Sequence, residues 1–310
     1  MRDDRDEPLF DDAAMLASLE SNRRDFLALV EDIRPDLHRY CARMTGSVAD
    51  GEDVVQDTLA RAYYELPELR EIPPLRPWLF KIAHNRAIDF HRRAAYRTTA
   101  SLDEAEEVLG AFEAEPEQRI SKAQAVQAAV SVFMMLRPSQ RACVVLVDVL
   151  EYTLEETAEH LDMTVAAVKA ALHRGRVALR GLVEQPQPAP EVSRPSSMLS
   201  RYVALFNAHD WDGVRGMLAE DVRLDLVSRR RSIGAAAVGL YFSNYERVRN
   251  WRAEPAWMDG HEVIAFFNTV DAKAPDYFVR IEFVAGRVSV IRDYRHVPYI
   301  GRDLQLSLCG

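Results

Sequence analysis

Cysteine is scarce in this chain: Cys41, Cys143 and Cys309 are the only thiols among 310 residues. None belongs to a CxxC pair or a Cys/His cluster, so neither a zinc site nor a disulfide framework is encoded, and a reducing cytoplasm is the expected location. Long apolar runs are missing too. No stretch approaches the roughly 18 residues of a membrane-spanning helix, so a membrane is not among the expected partners. The N-terminus carries Asp3, Asp4, Asp6, Glu7, Asp11 and Asp12 where a signal peptide has its apolar core. Positive charge is in deficit: 39 Lys and Arg stand against 48 Asp and Glu, a formal net charge of −9. A nucleic-acid-binding domain taken whole is usually basic, so any such contact must come from local stretches.

One such stretch is present. Residues 76–97, RPWLFKIAHNRAIDFHRRAAYR, hold Arg76, Lys81, Arg86, Arg92, Arg93 and Arg97 against the single acid Asp89. Trp78, Phe80, Phe90 and Tyr96 are interleaved. Pro77 suits a first helical turn, where its missing N–H costs nothing. Leu79, Ala83, Ala87 and Phe90 fall on one helical face, and Lys81, Asn85, Asp89 and Arg92 on another. A face of that kind meets phosphates with its cations and bases with its amide and rings.

The other segments follow from periodicity and punctuation. Residues 1–20 read as a disordered acidic tail. A helical pattern runs from Arg23 to Tyr64 through Phe26, Leu29 (Val30), Ile33 and Leu37, broken at Thr45-Gly46-Ser47. Its second helix, GEDVVQDTLARAYYEL, starts with the polar face Glu52, Asp53, Gln56 and Asp57. Residues 98–120 are an acidic linker. A helix is expected over 121–136 and another from Pro138. Thr153 and Glu156 have the spacing of a capping box. Thr164 can cap the helix VAAVKAALHRGRVALRGL, which carries Lys169, His173, Arg174, Arg176 and Arg180 and no acid. Two helices joined by so short a turn form a candidate helix-turn-helix. Residues 184–197 hold four prolines, and a linker of that composition is stiff and reaches at most roughly 40 Å. Beyond it the pattern changes. Helices are expected over 198–219 and 234–249, and strands over 222–227, 251–258, 262–270, 277–284 and 287–296, with Ala285-Gly286 as a hairpin turn. Helices followed by a curved antiparallel sheet make an α+β layer.

The three motifs, in this order and at this spacing, resemble the sigma factors of bacterial RNA polymerase, in particular the extracytoplasmic-function (ECF) group, over about residues 21–183. The last hundred residues, through YVALFNAHDWDGVRGMLAEDVRLDLV, resemble the cone-shaped SnoaL-like domain shared with ketosteroid isomerase and polyketide cyclases. The implied architecture is multidomain: two all-α domains, the second a helix-turn-helix, then an α+β cone. The boundaries are 21–97 (region 2), 121–183 (region 4) and 198–310 (cone).

The resemblance also implies partners and roles. Core RNA polymerase is met by Asp53, Gln56 and Asp57. The promoter −10 element is read by Asn85 with Lys81, Arg86, Arg92 and Arg93. The −35 element is read by Thr164, Lys169, His173, Arg174 and Arg176, with Ala170 and Ala171 where the family often has Ser and Arg. The fused subgroup known for an Asp-Gly-Gly-Gly stretch after the first strand has Ser228-Arg229-Arg230-Arg231-Ser232 in that place here. Arg229, Arg230 and Arg231 are expected to pair with the linker acids or with the acidic helix, as a regulatory contact. No cofactor or metal is expected. The open alternative is a cone that senses a small molecule or acts as an isomerase or cyclase, with Asp225, Asp293, His209 and His261 as candidates. Asp293, flanked by Arg292 and Arg295, is more simply a surface ion pair.

Overall fold

The computed structural model describes residues 22, 24–98, 130–183, 194–246, 250–303 and 307–308. The acidic tail, residues 99–120 of the acidic linker, residues 184–193 of the proline-rich linker and Cys309 lie outside the described residues.

The first helical unit consists of α1 (Arg34–Thr45), α2 (Val48–Glu65) and α3 (Leu75–Thr98). Helix α1 stops where Gly46 takes a left-handed φ of 79° and its N–H reaches the Ala42 carbonyl. Ser47 then caps α2 by accepting the Asp50 N–H at 3.2 Å. The two helices cross closely because α2 has no side chain at Gly51, where a Cβ would lie 2.5 Å from the Ala42 backbone. Ahead of α1, Val30 is the buried residue of the Leu29–Val30 pair, while Leu29 is 56% exposed.

The second unit holds a 3₁₀ turn (Val130–Met135), α4 (Pro138–Val144), a π turn (Val145–Val149), α5 (Leu154–Leu161) and α6 (Val165–Val183). Among the described residues, the segments on either side of Pro138 depart from regular α-helix. The described part of 121–136 is a 3₁₀ turn over Val130–Met135, and Arg137, before Pro138, is extended. The run after Pro138 widens into a π turn, and there Asp148 meets Arg176 of α6. The capping box at Thr153–Glu156 forms, and Asp162 ends α5 in a left-handed conformation. The two units share one hydrophobic core that runs from Leu37, Tyr40 and Phe80 to Val144, Leu146 and Val168. Arg141, 3% exposed, ties them together. It donates to the carbonyls of Met44 at the end of α1, Met134 and Leu136.

The C-terminal unit is an α+β cone. Helices α7 (Ser197–Asn207), α8 (Trp211–Gly216), α9 (Ala235–Gly239) and α10 (Ser243–Glu246) cover a sheet of β1 (Leu218–Leu226), β2 (Arg230–Ile233), β3 (Arg252–Met258), β4 (His261–Phe267), β5 (Tyr277–Val284), β6 (Arg287–Asp293) and β7 (Ser307–Leu308). The order is β2-β1-β6-β5-β4-β3-β7. Every pairing is antiparallel except β1 with β6, which is parallel, so the sheet is mixed where an antiparallel one was expected. Of the triple-arginine segment, Arg230 and Arg231 lie in strand β2 and Arg229 in the turn before it.

Both faces of this sheet are covered. On the inner face Leu224, Ile264, Phe266, Val279 and Ile291 pack with α7 and α8. On the outer face Val263, Ala265, Phe267, Phe278 and Tyr294 pack with Ala42, Val48 and Ala49 of the first helical unit. That is why β4 reads VIAFF without alternation, as a strand buried on both sides does.

Gly51→Ala should force α1 and α2 apart, because the new methyl meets backbone and not a flexible side-chain end. The expected loss is about 1–3 kcal/mol, the usual cost of overpacking, read by urea denaturation.

Candidate functional site

Helix α2 presents its acids to the cone. Glu52 has no exposed surface. Its carboxylate accepts from Arg34 at 2.6 Å and from the Tyr299 hydroxyl at 2.8 Å. Arg34 also donates to Ser228 in the β1–β2 turn. At the next residue of α2, Arg292 of β6 donates to Asp53 at 2.6 Å, with both side chains partly exposed. Burial pushes the Asp53 carboxyl up from its ordinary value, and Arg292 opposes this only in part. At the start of α2 the Val48 N–H donates to Asp259 at 2.7 Å, so a carboxylate from the cone sits at the positive end of the helix. Gln56 is half-buried and Asp57 exposed. Among the described residues, the cone's hydrogen bonds to α2 fall on Val48, Glu52 and Asp53.

The basic face of α3 is open. Lys81, Asn85, Arg92 and Arg93 are exposed and Arg86 half-buried, while Leu79, Ala83 and Ala87 are fully buried. A cleft of about 510 Å³ lies between α2 and α3, lined by Arg61, Glu65, Trp78, Lys81, Asn85 and Arg86 among others. It offers hydrogen-bonding groups and an indole face in one place, which is what an unstacked base requires. A second cleft, of about 630 Å³, continues past Asp57, Tyr64 and Arg93. Lys81 is also engaged by the second unit, through Asp162 at 2.9 Å in the turn between α5 and α6.

In the helix-turn-helix, Thr164 is exposed and caps α6 by accepting the Ala167 N–H at 3.1 Å. Lys169, His173 and Arg174 project from α6 into solvent. Arg176 differs from them: it is half-buried and donates to Asp148 at 2.9 Å, so it anchors α6 to the π turn.

The remaining candidates are scattered. Arg229, Arg230 and Arg231 are exposed, and Arg231 pairs with Asp225 at 3.3 Å on the neighbouring strand. The cone's contacts with the acidic helix come from Tyr299, Arg292 and Asp259 instead, while Arg230 and Arg231 sit on β2 at one edge of the sheet, with Arg229 in the turn before it. The linker acids lie outside the described residues. Asp293 is not a surface ion pair. It is fully buried and accepts from Tyr241 at 2.6 Å and from the Arg295 backbone N–H at 2.8 Å. His209 packs between Trp211 and Trp251, and His261 is exposed at the start of β4.

Residues 29–108 match the family model of Sigma-70 region 2, and residues 127–179 that of Sigma-70 region 4. The ECF RNA polymerase sigma factor SigM of Mycobacterium tuberculosis is 31% identical over 173 residues, 56% of this chain and 84% of that protein. The chain is an ECF sigma factor. SigG of the same organism is 33% identical over 219 residues, and the match spans 62% of this chain but only 59% of SigG. A solved structure of M. tuberculosis SigJ is similar over 86% of this chain and 95% of that one, at 24% identity and a TM-score of 0.34.

In this ECF sigma factor several site residues carry no sequence signal. Arg34, Asp259, Arg292 and Tyr299 are distant in the chain and meet only at the docked face. Arg61, Glu65 and Trp78 line the α2–α3 cleft. Trp78 was visible as an interleaved aromatic, but the other two look like an ordinary i,i+4 ion pair, which they also form at 2.5 Å. No helix among the described residues is long and apolar enough to cross a membrane.

Four imidazoles, His38, His84, His91 and His160, are packed in the helical units of this ECF sigma factor, and the last three have shifted pKa values. His84 bonds the Tyr40 hydroxyl at 2.7 Å, His91 the Met44 carbonyl at 2.6 Å, and His160 lies against Phe80 and Tyr152. Burial pushes His84 down from 6.5 to about 4 and lowers His91 and His160 as well. Each of these three protonates less readily folded than unfolded, so the stability they contribute is complete above pH 6.5 and declines as pH falls below it, for His84 down to about 4. The His84 shift alone corresponds to about 3 kcal/mol at ~1.4 kcal/mol per unit. Thermal melts between pH 7.5 and 4.5 should show the decline, and His84→Gln should flatten it.

Proposed function

We propose that this chain binds core RNA polymerase in the cytoplasm and directs promoter recognition and opening, with the fused cone modulating that activity. In this reading residues 21–97 serve as region 2 and 121–183 as region 4. The acidic linker at 98–120 joins these two, and the proline-rich linker at 184–197 joins region 4 to the regulatory cone at 198–310. The observation that carries it is the separation of surfaces along one chain. An acidic helix is followed by a basic helix with an open cleft beside it, and then by a helix-turn-helix with exposed cations. A repressor that only binds DNA needs the last of these and neither of the others.

Roles follow from placement. Asp53, Gln56 and Asp57 meet the polymerase. Asn85, beside the cleft, reads an extruded base, while Lys81, Arg86, Arg92 and Arg93 hold phosphates. Lys169, His173 and Arg174 reach the −35 duplex. Thr164 and Arg176 set the pose of α6. No cofactor or metal enters this reading.

The second reading, an isomerase-like enzyme or a small-molecule sensor, rests on one observation, the buried Asp293 among tyrosines. Such a carboxylate can serve as a base. Here its two oxygens are taken by Tyr241 and a backbone N–H, Tyr245 also reaches it, and the rings of Phe206, Trp211, Trp251 and Phe266 pack around Tyr245 at centroid spacings of 5.0–6.4 Å. We therefore favour a regulatory and not a catalytic cone.

Run-off transcription with purified core polymerase tests the proposal. Asn85→Ala should relax preference at one non-template base, at roughly 1–3 kcal/mol. Arg92→Ala should weaken all promoters alike and lower the salt slope by about one unit. Asp293→Asn should leave promoter-dependent transcription in place. No transcription from any promoter with the wild-type chain would sink the proposal.

A further inference from the structure

Where Arg141 crosses between the two helical units, a sulfur stands among its acceptors. Arg141 belongs to α4, in the second unit, and is 3% exposed. Its Nη2 donates to the carbonyls of Met134 at 3.2 Å and Leu136 at 2.9 Å, both in its own unit. Its Nη1 donates to the Met44 carbonyl, at the end of α1 in the first unit, and to Met134 Sδ at 3.2 Å. A thioether is a weak acceptor. The buried Nε of the same guanidinium has no hydrogen-bond partner among the described residues. This cation is short of oxygen acceptors.

Met134 is the acceptor whose chemistry can change. It is 37% exposed, whereas Met44 is fully buried. Its side chain lies against Gly46, the residue that ends α1: a Cβ there would meet Met134 Cγ at 2.3 Å and Sδ at 2.8 Å. The sulfur is therefore within reach of a small solute and in contact with both units.

We propose that Met134 is a reversible oxidation site that couples peroxide to the packing of the two helical units. Hydrogen peroxide transfers one oxygen to a lone pair of the sulfur. The O–O bond breaks, an S–O bond forms, the sulfur loses two electrons, and the peroxide leaves as water. The flexible apolar side chain becomes a polar sulfoxide, and reduction reverses the change. The sulfoxide oxygen is a stronger acceptor than the thioether, so Arg141 Nη1 turns to it and leaves the Met44 carbonyl. That carbonyl is not orphaned, because His91 Nε2 donates to it at 2.6 Å. A hydrogen bond between units is thus exchanged for one within the second unit. The added oxygen also crowds Gly46. Both effects loosen the junction.

The test uses the full chain and graded hydrogen peroxide, with peptide mass spectrometry to locate the added oxygen and hydrogen exchange to read the junction. Met135, one residue away and 71% exposed, is the internal control. Oxidation of Met134 should speed exchange several-fold over residues 42–47 and 136–143, and methionine sulfoxide reductases of both epimer specificities should reverse it. Met134→Leu keeps the volume and should hold exchange constant while Met135 oxidises. Met135→Leu should respond as the wild type does. Met134→Gln places an amide oxygen near the same point and should give faster exchange without peroxide, which keeps the proposal testable if Met134→Leu does not fold. A wild-type chain carrying the Met134 sulfoxide with unchanged exchange would overturn the proposal. So would a Met134→Leu chain that responds to peroxide like the wild type, or a Met134 that stays reduced when Met135 is fully oxidised.

Discussion

A carboxylate without exposed surface is costly unless it is paired and fully hydrogen-bonded, and Glu52 is such a group. Its partners come from two separate parts of the chain, Arg34 in α1 and Tyr299 beyond the last long strand. The position of the whole cone depends on meeting that requirement. Once Tyr299 is on Glu52, Arg292 falls on Asp53, Asp259 on the start of α2, and the outer face of the sheet covers Ala42, Val48 and Ala49. The polar part of this docking is close to balanced, since a departing cone returns two carboxylates to water. The driving force is apolar and comes from rings on the cone. Fully burying one such side chain is worth about 1.5–3 kcal/mol.

The same economy governs the two helical units. Phe80 of α3 packs against Tyr152 and His160 of the second unit, and Lys81 is paired with Asp162 in the helix-turn-helix turn. Arg141 crosses between them with carbonyls as acceptors and no carboxylate, and burial pushes it down to about 10. The units that carry the two basic helices are thus packed on one another. The Lys81–Asp162 pair is largely exposed and so contributes little. The cost of separating the units lies in the buried rings and in Arg141.

Inside the cone, one strand serves both faces. Arg292 points out to Asp53, while Asp293 points in to Tyr241 and Tyr245. Arg295 lies over the rings of Tyr245 and Tyr277 and donates to the Tyr277 hydroxyl at 2.6 Å. Alternation along a strand couples interior packing to docking with no other machinery.

Local order was legible in the sequence wherever it depends on neighbours in the chain. The capping box at Thr153–Glu156, the Gly46 stop, the hairpin at Ala285-Gly286 and the faces of α3 all follow from spacing and backbone preference. The family followed from three motifs in order, and the open basic faces of α3 and α6 from one-sided charge. Even the two-sided burial of β4 is written in VIAFF, although not what covers it. Only tertiary structure decided which acids of α2 are covered and which are free. Only tertiary structure turned Arg176 to Asp148, put Asp293 inside and left Arg229, Arg230 and Arg231 in water. The reason is physical. A charged residue has no intrinsic preference for one partner over another of opposite sign, so pairings between residues 18 to 247 positions apart are chosen by packing that no local pattern encodes.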